Sequence, residues 1–99
     1  MGELADLPNI GKIVESQLNA VGITTAGDLR SAGSRQAWLL IRSIDESACI
    51  HRLYGLEGAI RNIPKRDLPP EIKDELKLFY REISGLPDLR QQSAPTGDE

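Results

Sequence analysis

Three groups of residues in this chain have types that could support chemistry, and their spacing narrows what each could do. Cys49 and His51 would be the nucleophile and base of a thiol enzyme, but two residues apart on one helix they point about 200 degrees away from each other. Cys49 falls on an apolar stripe with Leu53, Leu56 and Ile60, where a buried structural thiol is expected. His51 falls off that stripe and reads as a surface histidine. The carboxylates Asp74, Glu75 and Glu82 could in principle pair as acid and base. They interleave with Lys73, Lys77 and Arg81, however, the pattern of a solvated charged helix face. The third group is Leu7-Pro8-Asn9-Ile10-Gly11-Lys12, a turn running into a helix start. Unpaired amides and the helix dipole favour an anion there, with Lys12 beside it.

Wider chemistry is excluded by inventory. One cysteine and one histidine cannot build a disulfide or a closed zinc site of nitrogen and sulfur ligands. There is no Walker loop, dinucleotide fingerprint or HExxH pair. The expectation is therefore no enzyme, no metal, no cofactor and no small-molecule substrate. No apolar run is long enough to span a bilayer and no signal peptide is evident, so a cytoplasmic protein with no membrane contact is expected. The net charge of −3 argues against strong nonspecific binding of nucleic acid, although residues 31–66 carry six basic residues against three acidic ones.

These residues must be positioned by helices, because apolar positions recur at helical spacing and no stretch alternates as a half-buried strand would. Ile10, Ile13, Val14, Leu18 and Val21 share one face of a first helix over about 10–21, with Asn9 as its cap and Gly22 as its end. Thr25 caps a short second helix with Asp28 three residues on, and Gly33 closes it. Ser34 caps a third, in which Trp38 is expected to be a buried anchor whose indole N–H finds an acceptor. Asp45 is expected to cap a fourth helix of about 16 residues that ends at Asn62-Ile63-Pro64. Gly55 and Gly58 inside it imply that another helix, the first or the last, crosses closely. Asp67-Leu68-Pro69-Pro70 opens a fifth helix with the face Ile72, Leu76, Phe79, Ile83, ended by Gly85-Leu86-Pro87. Residues 4–84 thus read as one all-α domain of five short helices, and 85–99 as a polar, disordered tail.

The order of turn, helix, second turn and short helix, with Gly22-Ile23-Thr24-Thr25 and Asp28-Leu29 after the first turn, resembles helix-hairpin-helix nucleic-acid-binding modules. The resemblance implies a compact bundle of the SAM and helix-hairpin-helix type, whose loop amides face a phosphate. Asn9 stands where the first glycine of such a loop is usual, and no helix precedes the hairpin. On this resemblance the candidate DNA or phosphate contacts are Asn9, Ile10, Gly11 and Lys12, with Arg52, Arg61, Lys65 and Arg66 from the basic middle of the chain.

A sharper resemblance runs from residue 4 to about residue 84. Leu7 to Lys12, Gln17-Leu18, Val21 to Thr25, Asp28-Leu29, Gly33-Ser34, Ala37-Trp38 and Ile41-Arg42 occur in the order of the C-terminal domain of the TfoX/Sxy competence regulators. Ala48-Cys49, Leu53-Tyr54, Leu56 to Ile60, Asp67-Leu68-Pro69 and Glu75-Leu76-Lys77 continue it. In that bacterial family the helical domain follows an N-terminal α+β domain; the resemblance here is to the helical domain, which is expected to stand alone. The resemblance implies a part in regulating competence and DNA-transformation genes, assisting a transcription activator. The expected mechanism is protein–protein interaction with an activator or the transcription machinery; weak, nonspecific DNA binding is the alternative.

Overall fold

The computed structural model describes residues 4–84, and every regular element among them is helical. The chain divides at the Pro69–Pro70 bond into two units, residues 1–69 and 70–99. The first unit contains α1 (Lys12–Ala20), α2 (Ala26–Ile44) and α3 (Ile50–Arg61), with 3-10 turns at Leu4–Asp6 and Lys65–Asp67. The second contains α4 (Pro70–Ser84). The polar tail expected over 85–99, and the Gly85-Leu86-Pro87 stop before it, lie outside the described residues.

There are four helices rather than five. The expected second and third helices run on as one element, α2, sharply kinked at Gly33, whose φ 83 and ψ 160 are not helical. A side chain would strain that φ, which is why glycine serves at the bend. Ser34 therefore caps no separate helix. It is buried, and its hydroxyl donates to Glu57 on α3 at 2.6 Å.

Most turns follow local chemistry. At the end of α1, Gly22 (φ 93) allows its own N–H to reach the Asn19 carbonyl and the Ile23 N–H to reach the Leu18 carbonyl. Burial of Leu18 and Ile23 seals the motif. The same pair of bonds closes α3, with Asn62 at φ 63 in the glycine position and the Ile63 N–H bonded to the Gly58 carbonyl. At the start of α2, Thr25 Oγ1 accepts from the Asp28 N–H. Asp28 Oδ2 in return accepts from the N–H and hydroxyl of Thr24.

Two expected caps are corrected. Asp45 ends α2 instead of opening α3; its Oδ1 accepts from the N–H and hydroxyl of Ser47, which holds the connecting turn. The helix therefore starts four residues later, at Ile50, with Cys49 at the cap position and no side-chain cap bond. At α1 the cap position is Gly11, not Asn9.

The α2–α3 pair makes the most extensive helix contact in the first unit. Trp38 on α2 is fully buried, as are Ala37 and Ile41 on the same helix and Leu53, Leu56 and Ala59 on α3. Its Nε1–H donates to the Cys49 carbonyl at 3.2 Å, as a buried indole requires. The Arg42 guanidinium lies 5.2 Å from the ring centroid, within cation–π range. In α4, Leu76 is buried, Ile72 and Phe79 are half-buried and Leu78 is 61% exposed.

Candidate functional site

Leu7-Pro8-Asn9-Ile10 forms a turn in which the Ile10 N–H approaches the Leu7 carbonyl at 3.4 Å. Asn9 occupies its third position at φ 70, where glycine or asparagine is favoured. The structure uses asparagine for its side chain. Asn9 Nδ2 donates to the Ile63 carbonyl at 3.0 Å and to the Gly55 carbonyl at 3.3 Å, and Oδ1 accepts from the Lys65 N–H at 3.0 Å. The turn is thereby fastened to α3 and to the segment that follows it.

This also explains the glycines of α3, and corrects the expectation that a helix crosses them. A Cβ on Gly58 would stand 2.5 Å from Asn9 Nδ2 and 2.7 Å from the Ile63 carbonyl oxygen. A Cβ on Gly55 would stand 3.4 Å from Asn9 Cβ. The close neighbours are thus a side chain of the turn and the backbone after α3, not another helix.

The remaining candidate residues differ in what they are free to do. Ile10 is buried, Gly11 begins α1 without a side-chain cap, and Lys12 is exposed in its first turn next to Ile13, which is 72% exposed. Arg52 Nη1 donates to Asp45 Oδ2 at 2.9 Å and to Gln17 Oε1 at 3.1 Å, while Gln17 Nε2 donates to Asp45 Oδ2 at 2.8 Å. This network ties α1 to α3. The Ser47 hydroxyl first, then Arg52 and Gln17, hold the Asp45 carboxyl well below the usual carboxylate range. Arg61 pairs with Glu57 at 2.6 Å. Burial pushes the Glu57 carboxyl up, but the Ser34 hydroxyl and Arg61 outweigh it and the net shift is downward. Lys65 and Arg66 are exposed in the second 3-10 turn.

The structure brings Asn9, Ile10, Arg52 and Lys65 to one cleft of about 280 Å³, while Gly11, Lys12, Arg61 and Arg66 are not among its lining residues. Five further residues line it: Val14, Gly55 and Leu56, and the pair Cys49 and His51. Cys49 is exposed, not buried as its place on an apolar stripe suggested, because α3 begins after it and the stripe loses that position. The signal for this was Asp45-Glu46-Ser47, whose side chains suit a tight turn as well as a helix start. His51 is exposed, with its ring edge-on to Tyr54 at 6.2 Å.

No group of three or more His, Cys, Asp or Glu able to hold a metal ion exists among the described residues. None of the described helices is long and apolar enough to cross a membrane.

The structure is similar to that of an uncharacterized protein from Listeria monocytogenes in a triclinic crystal form. The TM-score is 0.81 at 43% identity, over 83% of this chain and 93% of that one. It is similar also to a protein of unknown function from the same organism in a tetragonal form, with a TM-score of 0.80 at 42% identity, over 82% of this chain and 99% of that one. No curated protein matches the chain. The sequence matches the TfoX C-terminal domain over residues 1–80, which spans the Leu7–Ile10 turn, the cleft and most of α4. The chain belongs to the TfoX C-terminal domain family.

Proposed function

We propose that this protein is a non-enzymatic accessory module that acts in the bacterial cytoplasm through protein–protein interaction, in the regulation of competence and DNA-transformation genes. Its family membership supports an accessory role of this kind. The observation that carries the choice of protein over DNA is the use made of the hairpin and its basic neighbours. Asn9 spends its side chain on Gly55, Ile63 and Lys65, Arg52 is held by Asp45, and Arg61 by Glu57. Arg61 is thus matched by a carboxylate and Arg52 is matched in part, in a chain of net charge −3.

Direct DNA binding is the second reading. It is favoured by the α1 start at Gly11, which has no side-chain cap, with Lys12 exposed beside it and Lys65 and Arg66 exposed elsewhere. Capture from a bacterial lysate, with and without nuclease, separates the two readings: a protein partner is retained after nuclease and a DNA-mediated one is lost. Titration of a labelled duplex adds a quantitative arm. The protein-binding reading expects dissociation constants no tighter than about 10⁻⁴ to 10⁻⁶ M at physiological salt. Submicromolar affinity that disappears on Lys12→Glu would make the hairpin a phosphate site.

A further inference from the structure

We propose that the cleft between the Pro8–Asn9 turn and the start of α3 receives an acidic segment of a partner protein. One apolar side chain of that segment would rest on Ile10, Val14 and Leu56, with its carboxylates facing Lys65 and Arg52. This rests on the protein-interaction reading above and specifies the chemistry of the partner.

The charge of the lining is the first argument. The chain has fifteen acidic residues against twelve basic ones, yet no carboxylate lines the cleft, whose ionisable members are Lys65, Arg52, His51 and Cys49. Asp45 offsets part of the Arg52 charge but approaches only Nη1. The other N–H groups of that guanidinium remain as donors, and Asp45 and Gln17 hold the group in place. Lys65 is fixed at the rim by its backbone bond to Asn9 Oδ1, which leaves its side chain exposed and independent of that bond.

Size and polarity decide between kinds of occupant. At about 280 Å³ the cleft is near the lower end for small-molecule sites and suits one anchoring side chain of a protein partner. Its floor of Ile10, Val14 and Leu56 complements an apolar group and offers nothing to a phosphodiester. An acidic segment carrying an aliphatic side chain satisfies both the floor and the rim.

The test is an amide-shift titration of the full chain with a short peptide of alternating glutamate and leucine, a lysine–leucine peptide and a DNA duplex. Saturable shifts confined to the region of Ile10, Val14, His51 and Lys65, with the acidic peptide alone, are expected. Lys65→Glu weakens binding by about tenfold or more, as reversal of a rim charge does. Cys49→Asp is the second variant: it places a carboxylate in the cleft while supplying the cap that α3 lacks, so its melting temperature holds or rises as its affinity falls. The absence of saturable shifts overturns the proposal. So do shifts elsewhere, equal response to both peptides, response at these residues to the duplex alone, or indifference to both variants. If a nuclease-resistant partner is captured equally by wild type and both variants, the interaction reading stands and the cleft assignment falls. If the unaltered chain captures none, the interaction reading fails and this proposal with it.

Discussion

The Asn9 side chain fills the space that a Cβ on Gly58 would need, with Nδ2 2.5 Å from where that atom would stand. The Ile63 carbonyl oxygen, 2.7 Å from the same point, belongs to the backbone turn that ends α3 and cannot swing aside. Gly58→Ala is therefore expected to destabilise by about 1 to 3 kcal/mol despite a gain in helix propensity of about 1 kcal/mol. At Gly55 the nearest contact would be an ordinary 3.4 Å, so Gly55→Ala should stay within about 1 kcal/mol of wild type. Urea unfolding of the two variants checks this; equal effects would contradict the fit between Asn9 and Gly58.

Asn9 itself should be costly to replace. Asn9→Ala removes three hydrogen bonds and leaves the Lys65 N–H and the Ile63 carbonyl without the amide that pairs them. It also places an alanine at φ 70. A loss of about 2 to 4 kcal/mol is expected. Asn9→Gly removes the same bonds without the backbone strain and should lose less. If glycine proves as stable as asparagine, the Leu7–Ile10 turn owes nothing to the side-chain bonds.

Trp38 anchors the α2–α3 contact with no exposed surface and its indole N–H bonded to the Cys49 carbonyl. Trp38→Ala should destabilise by about 3 to 5 kcal/mol. The wild-type chain should show the blue-shifted emission of a buried indole, moving to longer wavelength only on unfolding. Native emission at the wavelength of free indole in water would contradict this burial.

Stability should fall in acid partly through Asp45. In the unfolded chain its carboxyl titrates near about 3.9. In the folded chain the Ser47 hydroxyl, Arg52 and Gln17 hold it well below that. Below its ordinary range the unfolded chain binds the proton first, so the stabilisation is complete at neutral pH and declines as pH falls through about 4. Asp45→Asn should show a flatter decline in unfolding midpoint from pH 6 to pH 3 than wild type. Parallel curves would mean that the network contributes no linkage.

Features that depend on neighbours along the chain are legible in the residues alone. Gly22 after Val21 terminates α1, Thr25 and Asp28 open α2, and Asn62-Ile63-Pro64 stops α3, because each requires only a local backbone angle or a bond across a few residues. The apolar spacing around Trp38 likewise marked a buried face without reference to its partner. Tertiary structure decided wherever a polar side chain had more than one way to be satisfied. Asn9 could cap the next helix or reach across to Gly55, Ile63 and Lys65; Asp45 could open α3 or bind Ser47, Arg52 and Gln17. Each local option is a single hydrogen bond, and the observed arrangement makes several. Ser34 was settled in the same way, with its hydroxyl on Glu57 and Gly33 serving as a bend inside α2. The cleft brings Lys65 and Arg52 to Ile10 beside bonds between residues distant in sequence, Lys65 to Asn9 and both Arg52 and Asp45 to Gln17, and periodicity carries no trace of such bonds.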